Sequence, residues 1–339
     1  MKLKLMNIAI KCYYYSIPMC INIKREIQNK YLRYMVFVLV LPILLWKWIV
    51  GYIAEVTYGR KRVMRIKKND ARRNFEHELA IVSIAKNEGK YIEQWLAYHK
   101  SLGVSKVYLY DNESDDHLDE IVKPYVECGF VEYTKFPGQG MQLVAYNDVI
   151  SHCADNVRYL AIIDCDEYLM PAKKESNIVS VIKKIFDDNP QAGGIGVNWC
   201  VYGSAGKKVE EEGFLAERFT MRAEQFAWNN HLIKCIVNPR LVSDYISPHF
   251  PIYMRGAWTV SPQGERLYAW YNMNVSFEKI RCNHYFCKSV EEFQRKQARG
   301  LADRPGVYYD MTKFNKYNKN DEEDLSMLSY ISDIKANLL

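Results

Sequence analysis

The chain has no Cys-x-x-Cys pair and no zinc-finger spacing, and its nine cysteines are an odd number, so neither a zinc module nor a disulfide framework is indicated. Cys282 and Cys287 lie five apart with His284 between them, which fits no common zinc site. Cys165 and Cys200 sit inside apolar runs and read as reduced core thiols of a cytosolic protein. No Gly-x-Gly-x-x-Gly follows any strand-like run. Gly138-Gln139-Gly140 lacks the third glycine and there is no Walker lysine, which disfavours a classical dinucleotide enzyme and a P-loop ATPase. Internal repeats are absent. With 49% apolar and 25% charged residues, the composition is that of a folded globular protein, and it argues against disorder, collagen-like structure and a multi-span membrane protein.

The net charge of +6 is unevenly placed. Residues 1–75 hold sixteen Lys/Arg against Glu26, Glu55 and Asp70, or +13; the rest has 30 bases and 37 acids, or −7. The first 75 residues therefore form a basic leader on an acidic domain. Between Met35 and Ala54 the only charge is Lys47. Twenty such residues are long enough to cross a bilayer. The clean apolar stretch, Met35 to Trp46, is shorter and contains Pro42, and Trp46-Lys47-Trp48 resembles an interfacial anchor. Lys24, Arg25, Lys30 and Arg33 precede it; a denser cluster from Arg60 to Arg73 follows. The expectation is a helical leader that spans the membrane or lies on its surface, with the main domain facing the cytoplasm. A buried hairpin with a solvated basic surface is the competing reading. Nucleic acid is not the expected partner, because no stacking module is interleaved with the charge.

From residue 76 strand-like and helix-like runs alternate. Leu79–Ala85, Val107–Tyr110, Val131–Phe136 and Tyr159–Ile163 read as strands. The segments around Trp95, Leu118 and Met141–Cys153 read as the helices between them, with another at Ile178–Phe186. This predicts an α/β domain with a mainly parallel sheet flanked by helices, whose ligand sits at the carboxyl ends of the strands. Beyond Pro190, Ile195–Tyr202, Phe214–Met221 and Ile233–Val237 read as strands. A capping box at Ser289 and Glu292 starts a last helix. The expected divisions are the leader (1–75), a first α/β half (76–190), a second half of the same domain (191–312) and a C-terminal tail (313–339) whose stretch from Lys313 to Asp324 is polar and reads as loop.

The strongest chemical signal is Asp164-Cys165-Asp166-Glu167, at the end of the most apolar strand. In an extended segment Asp164 and Asp166 would point the same way and could converge on one hard divalent cation; two solvated loop carboxylates are the alternative. Asp111 ends the second strand and could accept from a ribose hydroxyl or a base N–H, although Asn112, Ser114 and Asp115 also suit a helix cap. Gln142 and Asn147 lie on a helix leading toward the acidic strand. Trp199, His231 and His249 are lesser candidates, for stacking or for polar pocket positions.

Lys86-Asn87-Glu88, Trp95-Leu96-Ala97-Tyr98-His99, Tyr108-Leu109-Tyr110-Asp111-Asn112 and the Asp-x-Asp-Glu-aromatic run resemble the Lys-Asn-Glu subgroup of family 2 glycosyltransferases and the related family 92 enzymes. Gly203-Ser204-Ala205-Gly206, Glu217-Arg218-Phe219, Lys234 and Asn283-His284-Tyr285-Phe286 with Lys288-Ser289 follow in the same order, so the likeness covers about residues 79–303. It implies a GT-A fold, a nucleotide-sugar donor such as a UDP-sugar, Mn²⁺ or Mg²⁺, and a glycan or lipid-linked acceptor. By the same resemblance Asp111 would meet the uridine, with Asn87 and Glu88 beside the donor. Asp164 would bind metal or ribose, Asp166 metal, and His284 metal or diphosphate. Lys234 and Lys288 would face the leaving group. Glu217 would be the base of an inverting displacement, or else a partner of a nearby arginine. Nucleotidyl transfer on a related fold, or an inactive membrane-bound scaffold, remain alternatives.

Overall fold

The computed structural model describes residues 30–299 and 306–339; Lys24 and Arg25 lie outside them. Helix α1 (Lys30–Ala54), with Pro42 inside it, runs through a π-helical turn (Glu55–Gly59) into α2 (Arg60–Asp70). Its described apolar side chains are turned to solvent, with Leu39 73% and Trp46 67% exposed. Counting the described residues alone, no helix is long and apolar enough to cross a membrane.

Charge groups α2 with the leader, but its contacts place it on the domain. Val63 is fully buried, Asp70 pairs with Arg240 at 2.8 Å, and Lys67 donates to the carbonyls of Phe186 and Asn189. Burial lowers the Lys67 pKa to about 8, against the pull of Asp187 and Asp70. The π-turn passes so close to Gly256 that a Cβ on Gly59 would lie 2.6 Å from the Arg255 carbonyl oxygen. Gly256 itself has φ +94°, which favours glycine.

Next come β1 (His77–Ala85), α3 (Gly89–Ser101), β2 (Lys106–Asp111), α4 (Leu118–Glu127), β3 (Val131–Lys135), α5 (Gln142–Cys153) and β4 (Val157–Ile162). These strands pair in parallel in the order β4-β1-β2-β3, as the alternation predicts. In β1, Leu79 and Ile81 join one hydrophobic cluster while Ala80, Val82 and Ile84 join another. Both faces are covered, which is why the strand reads as one continuous apolar run.

After β5 (Glu167–Pro171), α6 (Ile178–Asp188) and β6 (Ala192–Val201), the sheet is mixed rather than mainly parallel. Short elements follow: α7 (Leu215–Arg218), β7 (Met221–Arg222) and β8 (Ile233–Val237). The segment expected as a strand at 214–221 is thus mostly the α7 turn. No long crossover helix separates β6 from β8, so β8 returns antiparallel to both β6 and β4. The hairpin β9 (Val242–Tyr245) and β10 (Pro251–Tyr253), then β11 (Trp258–Val260) and β12 (Arg266–Leu267), extend this side. Strand β13 (Ile280–His284) lies between β6, to which it is parallel, and β5, to which it is antiparallel.

Helix α8 (Val290–Arg299) opens with the predicted capping box: Ser289 N–H donates to Glu292 Oε2 and Glu292 N–H to Ser289 Oγ. The stretch from Lys313 to Asp324, expected as loop, holds most of a helix and a short strand, and the tail as a whole is folded. It forms α9 (Met311–Tyr317), β14 (Glu322–Glu323) and α10 (Ile331–Asn337), and it buries Phe314, Tyr317, Met327, Tyr330 and Ile334. Its polar composition reflects the residues between these anchors.

Candidate active site

A cleft of about 540 Å³ opens where β1, β2 and β4 end, the position that α/β topology favours for a ligand. Asp164, Cys165 and Asp166 line one wall, with Glu88, Asn112 and Glu113 nearby; Trp199, His249, His284 and Lys296 face them, and Tyr308 and Tyr309 lie at the rim. The acidic run is a turn rather than an extended strand: Glu167 N–H donates to the Asp164 carbonyl at 3.0 Å, and Asp164 N–H to Glu167 Oε2 at 2.9 Å. Asp164 and Asp166 therefore do not share one face by strand alternation, and each has its own set of partners.

Asp164 accepts from Gln142 and Tyr146 on one oxygen, both at 3.1 Å, and from Lys234 on the other at 2.8 Å. Asp166 accepts from Lys296 at 2.6 Å, and its second oxygen lies 3.5 Å from His284 Nε2. The register of β13 explains this last contact. His284 stands opposite Glu167, and Tyr285 N–H donates to the Asp166 carbonyl at 2.9 Å.

Electrostatics separate the three acids of the turn. Burial opposes ionisation of Asp164, but Lys234 outweighs it and lowers the pKa; for Asp166 burial is likewise overcome, by Lys296 and then His284, and the pKa falls well below the usual carboxylate range. Glu167 is fully buried, which raises its pKa well above normal, and its Oε1 has no hydrogen-bond partner among the described residues. The His284 pKa is lowered by burial, against the pull of Asp166.

The family-like motifs around the cleft prove to be largely clamps. From α3, Trp95 Nε1 donates to the Glu167 carbonyl at 2.7 Å and Tyr98 Oη to the Leu169 carbonyl at 2.8 Å, holding the strand that follows the acidic turn. Asn87, at φ +55°, accepts from Asp115 N–H, and its own N–H donates to Ser114 Oγ. Asp111 accepts from Ser114 N–H and from Tyr133 Oη at 2.5 Å. Asn87 thus ties the ends of β1 and β2 together, Asp111 ties the end of β2 to β3, and neither lines the cleft.

Other expected residues also take supporting places. Asn147 brackets Tyr245 through both its backbone groups. Lys234, 1% exposed, holds Asp164 and Glu167 from below, and Lys288 pairs with Glu88 and lies over the Tyr91 ring. His231 Nδ1 donates to the Trp228 carbonyl at 3.2 Å, its ring sits by the Trp228 ring, and it does not line the cleft. Glu217 is exposed and outside the cleft lining, its Oε2 accepting the Phe214 N–H at the start of the short α7 helix. The neighbouring Arg218 is the buried one, paired with Glu292 and Tyr91.

Two cleft residues carry more than sequence reading assigned them. Lys296 reaches Asp166 from α8, one turn beyond the capping-box Glu292, and stacks over the Phe286 ring. That one-turn offset from a recognisable cap was the available signal. His249 Nδ1 donates to the Ile233 carbonyl at 3.0 Å, which leaves Nε2 to accept. Burial, with Lys234 next, lowers its pKa to about 3, so the ring is neutral.

Comparison with known proteins is concordant with this arrangement. A glycosyltransferase family 92 protein of Oryza sativa subsp. japonica is 22% identical over 240 residues, covering 68% of this chain and 40% of its own length. One of Ricinus communis is 28% identical over 97 residues, covering 27% of this chain and 17% of its own. The chain therefore spans two fifths or less of these relatives. Among solved structures, Staphylococcus aureus TarS overlaps 48% of this chain and 47% of its own at 16% identity and a TM-score of 0.33. Glucosyl-3-phosphoglycerate synthase from Mycobacterium tuberculosis overlaps 36% and 43% at 17% identity and a TM-score of 0.26. The model of glycosyltransferase family 92 matches residues 81–329, which takes in the whole cleft, and so the chain belongs to that family.

Proposed function

We propose that this chain transfers a sugar from a nucleotide-sugar donor, a UDP-sugar, to a glycan or lipid-linked acceptor in one inverting displacement assisted by Mn²⁺ or Mg²⁺. The observation that carries the reading is the pairing of Asp166 with His284 Nε2, 3.5 Å away, in a cleft at the ends of parallel strands. A carboxylate and an imidazole are a fitting partial donor set for such an ion. Among the described residues no group of three or more His, Cys, Asp or Glu converges on one point, so phosphate oxygens and water would complete the shell. Bound there, the ion supplies a counter-charge for the departing diphosphate.

The chain's own residues supply the rest. Lys234 keeps Asp164 ionised and fixed in the wall, and Gln142 with Tyr146 orients its other oxygen toward a ribose or metal. Lys296 places a cation beside the diphosphate position. With Glu217 outside the cleft, the acceptor hydroxyl's proton passes to His249 Nε2, whose tautomer the Ile233 carbonyl fixes. The bound anionic donor opposes the burial and, after it, the Lys234 field that depress this imidazole. The exposed apolar surface of α1 and the exposed cations Arg60, Lys61, Arg62 and Arg65 support attachment to an anionic membrane surface, with the catalytic domain on the cytoplasmic side.

Thermal unfolding with UDP, GDP, CMP and dTDP, each with and without Mn²⁺, tests the donor site. A Mn²⁺-dependent rise with UDP, lost in Asp166→Asn, is expected. No rise with any nucleotide in folded protein would remove the metal-dependent reading and favour an inactive scaffold.

A further inference from the structure

We propose that Trp270 is the acceptor platform of the cleft: a pyranose stacks by its C–H face on the exposed indole and presents a hydroxyl to His249. This rests on the sugar-transfer reading above and names how the site takes its acceptor. In the sheet, β4 lies between β1 and β8, so the acidic turn that follows it divides the cleft into two ends. Glu88, Asn112 and Glu113 line the end where β1 and β2 stop, and Leu232, Pro248, His249 and Trp270 line the end beside β8. Ile233 joins the imidazole to the indole segment. Its carbonyl accepts from His249 Nδ1 at 3.0 Å, and its N–H donates to the Trp270 carbonyl at 3.2 Å.

Among the described residues, Trp270, 43% exposed, and Tyr308 are the exposed aromatic side chains of the lining. Tyr308 belongs to the α8 side, where its neighbour Tyr309 packs on Phe286 and Phe293. Trp199, the tryptophan that the sequence offers for stacking, is 5% exposed, and its ring lies against those of His284 and His249. The free ring face at this end is therefore that of Trp270. Its segment is held firmly: Asn272 N–H donates to the His231 carbonyl at 2.7 Å, and Asn272 Nδ2 donates to Asn198 Oδ1 at 2.9 Å, both asparagines being buried. A large apolar ring kept in water on a backbone fixed in this way is preorganised for a ligand. A sugar suits it. One face of a pyranose carries C–H groups that cover the indole, while the hydroxyls at its edge meet the polar groups of the cleft. An alkyl chain would take water from His249 Nε2 without replacing its hydrogen bond, and the exposed apolar surface that suits lipid lies on α1.

The test is saturation-transfer NMR on the full chain in wild type, Trp270→Ala, Trp270→Phe and Trp228→Ala. The probes are the methyl β-glycosides of glucose, galactose, mannose and N-acetylglucosamine, with farnesyl phosphate as a lipid probe, each without nucleotide and with UDP and Mn²⁺. Thermal melting checks that each variant is folded and reads its response to UDP. At least one glycoside is expected to take up saturation on its ring C–H protons in wild type, with an affinity that falls roughly tenfold in Trp270→Ala and largely returns in Trp270→Phe. Trp228→Ala removes a more exposed tryptophan outside the cleft lining and should match wild type. The rise in Tm with UDP and Mn²⁺ should survive in Trp270→Ala. Glycoside binding unchanged in Trp270→Ala, or absent from wild type in both states, would overturn the platform. So would loss of the UDP response in Trp270→Ala with glycoside binding intact, which gives the ring to the nucleobase, or Trp270-dependent binding of farnesyl phosphate alone, which gives it to lipid. If wild type shows no nucleotide response the donor-site reading falls, and glycoside binding without nucleotide decides the platform separately.

Discussion

Replacing Lys234 by methionine should cost stability in a way that depends on pH. The ammonium, 1% exposed, sits 2.8 Å from Asp164 and 3.4 Å from Glu167, and methionine matches its length but leaves Asp164 without a counter-charge. Breaking a buried pair by removing one partner costs about 3–5 kcal/mol; because the Asp164 side chain is 31% exposed to the cleft, the lower end, about 3 kcal/mol, applies. For a domain of this size that is a fall in Tm of roughly 6–12 °C. The sign with pH follows from the shifts. In the wild type the Asp164 pKa is lowered, so its stabilisation is present above the unfolded value and is lost as pH falls through the folded value. In the variant the same carboxyl, buried without its cation, has a raised pKa, so its penalty is largest near neutral pH and disappears on protonation. The gap between the two proteins should therefore be widest at about pH 7 and narrow toward about pH 4. Urea unfolding at several pH values measures it. A deficit under about 1 kcal/mol, or a gap that widens on acidification, would refute the claim that Lys234 is the counter-ion of the acidic turn.

Two cleft assignments separate cleanly by kinetics. Glu217→Gln should leave turnover within about twofold of wild type, since an exposed helix-capping carboxylate has little to lose, whereas His249→Gln should lower kcat by roughly 10²-fold or more with little change in nucleotide affinity. The reverse ranking, measured by UDP release with a transferring acceptor, would restore Glu217 and displace the imidazole. For the leader, the full chain should sediment with vesicles containing anionic lipid, less so as salt is raised, and a chain starting after residue 58 should stay in the supernatant while still binding UDP with Mn²⁺. Equal sedimentation of both forms would move the membrane contact elsewhere on the protein.

The parallel strands β1 to β4 and their helices were legible because each buries both faces or one clear stripe, and burial of that kind writes itself into apolar periodicity. What failed was context. The run at 214–221 is apolar enough for a strand, yet Glu217 can reach back to the Phe214 N–H, and that local cap makes a helical turn. Lys313 to Asp324 read as loop because two buried anchors, Phe314 and Tyr317, are diluted among polar residues, and only the surface they meet shows that they are anchors.

At the site, residue type was readable and partnership was not. Asp164, Asp166 and His284 stand out by their chemistry, and the structure brings Asp166 and His284 together across β13 and β5, 118 residues apart in the chain. Asn87 and Asp111 were assigned to the ligand by the same reasoning, because an acid at a strand end looks alike whether it faces a nucleotide or a neighbouring loop; the structure shows them bonded to Ser114, Asp115 and Tyr133. Cations were the least legible. A lysine's reach is long and its charge is the same everywhere, so Lys234 and Lys288 were put on the leaving group although each is spent on a carboxylate of the wall. Lys296, in a helix full of charged residues, went unnoticed. Its place follows only from position, since α8 delivers its ammonium onto Asp166.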